Sequence, residues 1–153
     1  MKKIILTALS FMLLSHSHLA NAKEYSEENT KFCSKNEELT CDLNDNPITG
    51  VVKTYYEDGQ LKSEENFKNG GYDGLQKWYY EDGLLSVEEN YKDNQLEGTL
   101  KYYWYNGKIR CEGDYNAGNG TKKCYTSDGI LDEEVIDKDD ITTIKKYYEY
   151  VHL

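Results

Sequence analysis

The chain has 153 residues, with 28 acidic against 18 basic side chains and a formal net charge of −10. That balance excludes the basic footprint that nucleic acid or an anionic membrane surface requires. Four cysteines, an even number, allow a disulfide framework if the chain is exported.

The chain opens on Met1-Lys2-Lys3, an apolar run from Ile4 to Leu14, and Ala20-Asn21-Ala22. Basic start, apolar core and A-x-A site in this order predict a secretory signal peptide over residues 1–22, with a run too short to span a bilayer. The competing reading is an ordinary buried N-terminal helix, which does not account for that order. Cleavage after Ala22 leaves 131 of the 153 residues. They carry 16 basic and 28 acidic groups, a net charge near −12, because Lys2 and Lys3 depart with the signal. No cysteine follows the cut directly, which argues against a lipid anchor. The mature chain is therefore expected in the periplasm or outside the cell, and His152 is its one histidine.

Residues 23–46 are polar and acidic. They read as a segment tied by Cys33 and Cys41 and leading to a partial strand at Leu39 to Leu43. Pro47 then marks the start of a repeat domain over residues 47–136.

A period of 24 residues runs through that domain: Gly50, Gly74 and Gly98 share it, and so do Gly59, Gly83 and Gly107. A decayed fourth copy follows at a shift of 22, taking Gly107 to Gly129 and Ile109 to Leu131. Units of this length bury their apolar faces by stacking on neighbours. Each unit holds two β-prone runs around a glycine turn. Val51 to Tyr56 is β-branched and aromatic, and Glu57-Asp58-Gly59 carries the Asp-Gly signal of a type I′ hairpin. In the second run Leu61 and Phe67 are expected on one face, with Lys62, Glu64 and Asn66 on the other. Lys68-Asn69-Gly70 turns the chain toward the next hairpin.

The first strands leave their faces open. Tyr55-Tyr56, Tyr79-Tyr80 and Tyr103-Trp104 put aromatics on both sides. A two-residue turn places Tyr56 beside Leu61, whereas a three-residue bulged loop places Tyr55 there, and a one-residue slip exchanges the faces. Glu65 and Glu89 fall on the apolar face, where a rim position or pairing with Lys53 and Lys77 would accommodate them.

Four cysteines have three connectivities. Cys33–Cys41 and Cys111–Cys124 are favoured. Antiparallel pairing across the Asn116 to Gly120 turn, with residue numbers summing to 235, sets Cys111 opposite Cys124. A zinc site lacks C-x-x-C spacing and a nearby histidine, and free thiols suit the cytosol better. Over residues 137–153 Ile141, Ile144, Tyr148 and Val151 suit a helical stripe capped by Asp139 or Asp140, and a strand nearly as well. A capping helix is preferred, because an array needs a closed end. The predicted fold is mainly β: a meander of antiparallel hairpins in one elongated sheet with that cap.

The pattern G-x-x-x-x-Y-Y-x-[DN]-G-x-[LI]-x-x-E resembles the MORN-repeat variant of bacterial proteins. The matching positions are Tyr55, Tyr56, Gly59, Leu61 and Glu64, then Tyr79, Tyr80, Gly83, Leu85 and Glu88. The third copy matches at Tyr103, Gly107, Ile109 and Glu112, with Trp104 for the second tyrosine. The resemblance covers roughly Pro47 to Val135 and implies a row of hairpins in a curved sheet. Proteins of this type are often labelled antitoxin components, and the family brings no agreed catalytic residues.

Enzymatic chemistry is not expected: the paired acids Glu64-Glu65 and Glu88-Glu89 point to opposite faces of a strand, and no nucleophile-base pair is present. No cofactor or metal is expected either; Asp58 and Asp82 follow no EF-hand pattern. The leading expectation is a protein-interaction module, binding through Tyr55, Tyr56, Trp78, Tyr79, Tyr80, Tyr103 and Trp104. Its partner would be another protein of the envelope or outside the cell. A glycan-binding role on peptidoglycan is the alternative, since stacked aromatics flanked by Asp and Asn hold sugars.

Overall fold

The computed structural model of the chain describes residues 23–147. The predicted signal peptide, and Tyr148 and Val151 of the predicted cap, lie outside the described residues.

Alternating runs broken by glycine turns give thirteen strands among the described residues. β1 (Glu24–Ser26) is followed by one 3-10 turn, Glu27–Asn29, and by β2 (Thr30–Cys33) and β3 (Asn36–Asp42). The repeats supply β4 (Gly50–Tyr55), β5 (Leu61–Lys68), β6 (Gly71–Tyr72), β7 (Gly74–Tyr79), β8 (Leu85–Lys92), β9 (Gln95–Tyr103) and β10 (Ile109–Asn116). The fourth copy supplies β11 (Asn119–Tyr125) and β12 (Leu131–Lys138), and β13 (Ile141–Lys146) ends the array. One open sheet runs in the order β1-β4-β5-β7-β8-β9-β10-β11-β12-β13, with β6 also on β5, while β2 and β3 pair apart. β1 runs parallel to β4, and the other pairings are antiparallel. The expected meander of hairpins is the observed architecture.

Two turn types alternate along its edges. At the Asp-Gly loops Gly59 N–H donates to the Tyr56 carbonyl at 2.9 Å, and Tyr56 N–H donates to that of Gln60 at 2.9 Å. Tyr55 therefore faces Leu61 across a three-residue loop whose glycine takes φ +87°. The same loop recurs around Gly83, Gly107 and Gly129. This corrects the type I′ expectation: Asp58 is there because its carboxylate accepts the Gln60 N–H at 3.0 Å, closing the loop from the side. The type I′ geometry, with positive φ at both central residues, lies at the opposite edge. It is formed by Asn69-Gly70, Asp93-Asn94, Ala117-Gly118 and Asp139-Asp140.

Each hairpin also has a bulge. Thr54 faces Ser63 while Tyr55 faces Leu61, which leaves Lys62 extra; Ser86, Arg110 and Asp132 are the equivalents. A bulge reverses the alternation. Leu61 therefore lies on the face opposite Phe67, not beside it as expected, and Leu85 and Ile109 are turned likewise.

A second bulge explains the repeat length. Phe67 pairs with Tyr72, yet Ser63 pairs with Trp78, two residues out of step. The same slip separates Tyr91↔Leu96 from Glu89↔Leu100. Between β10 and β11 the register is continuous from Cys111↔Cys124 to Asn116↔Asn119. The fourth copy, shifted by 22 rather than 24, lacks those two bulged residues.

The C-terminal cap is a strand, which corrects the helix. Asp139-Asp140 form a type I′ turn rather than a helix cap and return the chain beside β12, where Ile144 opposes Val135. Both expected disulfides are present, with Cα–Cα distances of 5.0 Å for Cys33–Cys41 and 4.0 Å for Cys111–Cys124. They are consistent with an oxidising setting.

Alternation sorts the side chains onto a core face and an open face. Val52, Phe67, Leu100, Cys111, Cys124 and Val135 are buried on the core face. Ile48, Val52 and Phe67 form a cluster closed by Tyr25 and Tyr72, near the β2–β3 hairpin. Gln76 is 0% exposed on the same face. Its amide accepts the Asn66 N–H at 2.7 Å and donates to the Asn66 carbonyl at 2.9 Å, serving the Asn66 backbone where the bulge interrupts the β5–β7 ladder.

Candidate functional site

The core face carries a chain of tyrosine–carboxylate bonds. Tyr72 Oη donates to Glu65 at 2.6 Å, and Tyr115 Oη donates to Asp137 at 2.7 Å. Tyr91 and Tyr102 both donate to Glu89, Tyr91 at 3.1 Å. Glu65 and Glu89 therefore need neither a rim position nor Lys53 and Lys77: half-buried tyrosine hydroxyls accommodate them, with Ser63 Oγ adding a 2.7 Å bond to Glu65. These carboxylates are occupied by hydrogen bonds from tyrosine and serine hydroxyls.

Burial, reinforced by the adjoining carboxylates, pushes the hydroxyls of Tyr72, Tyr91, Tyr102 and Tyr115 above the ordinary tyrosine range. A folded-state value above the unfolded value near 10 contributes stability that is complete below pH ~10 and is lost as pH rises through the folded value. In an alkaline titration these four hydroxyls are expected to ionise together with loss of the β signal in circular dichroism. Complete tyrosinate absorbance at 295 nm with an unchanged β signal would show that they are freely titrating.

The aromatic doublets divide between the faces. The second members are inter-repeat latches on the core face. Tyr56 Oη donates to the Tyr79 carbonyl at 2.6 Å, Tyr80 Oη to that of Tyr103 at 2.5 Å, and Trp104 Nε1 to that of Tyr125 at 3.2 Å. Trp78 is half-buried on the same face, edge-on to Tyr72 at 6.5 Å. The first members, Tyr55, Tyr79 and Tyr103, stand on the open face, each opposite an aliphatic residue: Leu61, Leu85 and Ile109. Tyr125 opposite Leu131 continues the row into the fourth copy. The sequence reading omitted Tyr125, although KCYTSDGIL sets it 22 residues after Tyr103. Of the seven predicted contact residues, the structure thus groups three on the open face and binds three others into the repeat-to-repeat ladder.

Beside the tyrosine row lies a feature that the sequence reading missed. Lys53 opposes Glu64, Glu64 opposes Lys77, and the alternation continues through Glu88, Lys101, Glu112, Lys123 and Glu134 to Lys145. Nine neighbouring strands thus each contribute one charge to this row, with alternating sign. At the two ends the charges close to contact, Lys53–Glu24 at 3.1 Å and Glu134–Lys145 at 3.3 Å. Tyr125 Oη joins the tyrosine row to this ladder by donating to Glu112 at 3.1 Å. Opposite charges directly across strands stabilise by roughly 0.2–1 kcal/mol per pair, and they fix register. They also make the centre of the open face neutral, so the excess acid lies elsewhere. The signal was legible: Lys53, Lys77 and Lys101 follow the 24-residue period, and Lys123 and Lys145 then follow at 22.

No curated protein matches the chain. The MORN repeat variant family matches it three times, at residues 48–69, 72–93 and 96–117. The matches end at residues 69, 93 and 117, inside the type I′ turns, so each spans one hairpin with its Asp-Gly or Asn-Gly loop. Repeats of this kind generally serve as protein or membrane interaction modules. Residues 48–117 thus match three consecutive units of the MORN repeat variant family.

Proposed function

We propose that this chain is an exported, non-catalytic protein-interaction module with an immunity-like role toward a partner in the envelope or outside the cell. The observation that carries the reading is the open face. Tyr55, Tyr79, Tyr103 and Tyr125 alternate there with aliphatic residues along a locally neutral strip. Tyrosines in such a row offer large amphipathic contact area at low entropic cost. The signal-like N-terminus and the two disulfides support export. The overall acidity points to a protein partner rather than nucleic acid or an anionic membrane.

A crosslinking pull-down with the oxidised mature chain, on envelope and culture-medium fractions of its native cell, tests the reading. One stoichiometric protein partner supports it; wall fragments without such a protein would replace it with the peptidoglycan alternative. The triple variant Tyr55→Ala, Tyr79→Ala and Tyr103→Ala is expected to weaken capture at least about tenfold. Its melting temperature should stay close to that of the unaltered chain, because these rings lie on the open face. Equal loss of capture and stability would assign the row to folding instead.

A further inference from the structure

A cavity of about 310 Å³ lies between the segment before the repeats and the core face of the first hairpin. Phe32 of β2 lines it from the segment side, and Val52, Phe67 and Tyr72 line it from the sheet side. Its walls are therefore largely aromatic and aliphatic, with the Phe67 and Tyr72 ring centroids 4.9 Å apart. Phe32 remains 72% exposed, so a ligand entering the cavity would cover a ring that the protein itself does not cover. The Cys33–Cys41 bridge closes the β2–β3 hairpin and so fixes the wall on the segment side.

The charges in the cavity are unbalanced. Three charged residues line it: Glu27, Lys31 and Glu65. Lys31 is already engaged, with its ammonium 3.4 Å from Asp45. Glu65 is held by two neutral donors, the Ser63 hydroxyl at 2.7 Å on one oxygen and the Tyr72 hydroxyl at 2.6 Å on the other. A carboxylate offers about four acceptor sites, so each oxygen keeps one. No lysine or arginine among the described residues forms an ion pair with Glu65 or Glu27. The next copy is built differently. Its Glu89 receives the hydroxyls of two tyrosines, Tyr91 and Tyr102. In the first copy Trp78 stands where Tyr102 does, and the small Ser63 hydroxyl takes the place of a second tyrosine.

We infer that this cavity binds a small organic ammonium ion, free in solution, whose charge meets Glu65 and whose apolar body lies among Phe32, Phe67 and Tyr72. A half-buried carboxylate with open acceptor sites favours a ligand that brings the missing cation. An anion would meet two carboxylates, and a neutral molecule would leave Glu65 without a counter-charge. The volume corresponds to roughly ten waters, room for a body of about eight to ten non-hydrogen atoms. Apolar walls around one convergent polar group are the usual composition of a small-molecule site. A lysine side chain offered by a partner protein carries the same ammonium on a thin, unbranched stem, which would leave the aromatic walls uncovered. The cavity lies on the core face, away from the tyrosine row, so the inference does not rest on the interaction reading.

The test is a titration of the isotope-labelled, oxidised chain with phenethylamine, followed by amide chemical shifts. Saturable shifts are expected at residues 27–32, 52–54 and 65–72. Phenethyl alcohol, neutral and of the same shape, is expected to bind at least about tenfold more weakly. Glu65→Gln keeps the shape and an acceptor oxygen but removes the charge. It should weaken the amine about tenfold and leave the alcohol unchanged. If that variant does not fold, Phe32→Ala decides, since Phe32 is largely exposed: amine affinity should fall about threefold at an unchanged melting temperature. Absence of saturable shifts, shifts confined to the tyrosine row of the open face, equal binding of amine and alcohol, or a folded variant that binds like the unaltered chain would each overturn the inference. Acetyl-lysine amide, acetylated at its α-nitrogen, reports the other source of an ammonium. Tighter binding of that probe than of phenethylamine would assign the cavity to a partner's side chain and overturn the free-amine reading.

Discussion

Leu100→Ala is expected to lower the free energy of unfolding by about 2–5 kcal/mol. Leu100 is 1% exposed at the centre of β9, opposite Glu89 on one side and Gly113 on the other. Gly113 has no side chain to move into a void, and its backbone already touches β11: a Cβ built there would lie 2.6 Å from the Thr121 carbonyl oxygen. Collapse around a truncated Leu100 is therefore limited, and the cost belongs at the upper end for such a deletion. Leu75→Ala, on the open face of β7 at 38% exposure, is the matched control and should cost less than about 1 kcal/mol. Urea unfolding decides: the midpoint for Leu100→Ala should fall well below that for Leu75→Ala at similar slope. Equal midpoints would mean that the core face is not the side that holds the array together.

The hairpin array was readable because its cause is local. A glycine at the end of each Asp-Gly loop and a repeat of fixed length are visible in one dimension, and so was the Cys111–Cys124 register, which follows from a turn of known centre. What failed depended on one residue more or less. Asp-Gly ends a three-residue loop as readily as it fills a two-residue one. The choice decides whether Tyr55 or Tyr56 shares a face with Leu61, and the bulge at Lys62 then turns Leu61 away from Phe67. The acids Glu65 and Glu89 looked misplaced because their partners, Tyr72 and Tyr102, lie seven and thirteen residues away and meet them only across the sheet. Ile141 and Ile144 fit a helix by spacing, but the positive φ of Asp139 and Asp140 makes a reversal that spacing cannot reveal. The charge ladder needed no structure beyond correct register. Its lysines and glutamates keep the period of the glycines, and they were passed over because each looks like an ordinary solvated charge.

Removing the Cys111–Cys124 bridge by Cys111→Ser with Cys124→Ser is expected to lower stability by about 2–4 kcal/mol. The bridge spans 13 residues of sequence, and its sulfurs occupy the core face where the third and fourth copies meet. The fourth copy has lost the doublet's second aromatic: Thr126 stands where Tyr56, Tyr80 and Trp104 form their latches. The strands beyond it, β12 and β13, join the sheet through β11, with the Tyr115–Asp137 hydrogen bond reaching across from β10. Cross-linking β10 to β11 therefore secures the end of the array, and losing it should loosen β11 to β13 before the rest, as expected where each repeat is stabilised by its neighbours. Cys33→Ser with Cys41→Ser acts elsewhere. That bridge closes the β2–β3 hairpin against the Ile48 cluster and should loosen residues 23–46 with a smaller effect on the repeats. Hydrogen exchange separates the two. Protection should fall first at 119–146 for the former pair of serines and at 24–42 for the latter. A uniform fall across the sheet for either pair would mean that the array unfolds as one unit and that its bridges are not local staples. The same experiment bears on where the chain can work. If the last two hairpin strands need the Cys111–Cys124 bridge, a reducing compartment would leave Lys145 and the tyrosine row beyond Tyr103 on a frayed edge, and the face proposed to bind would be complete only in an oxidising one.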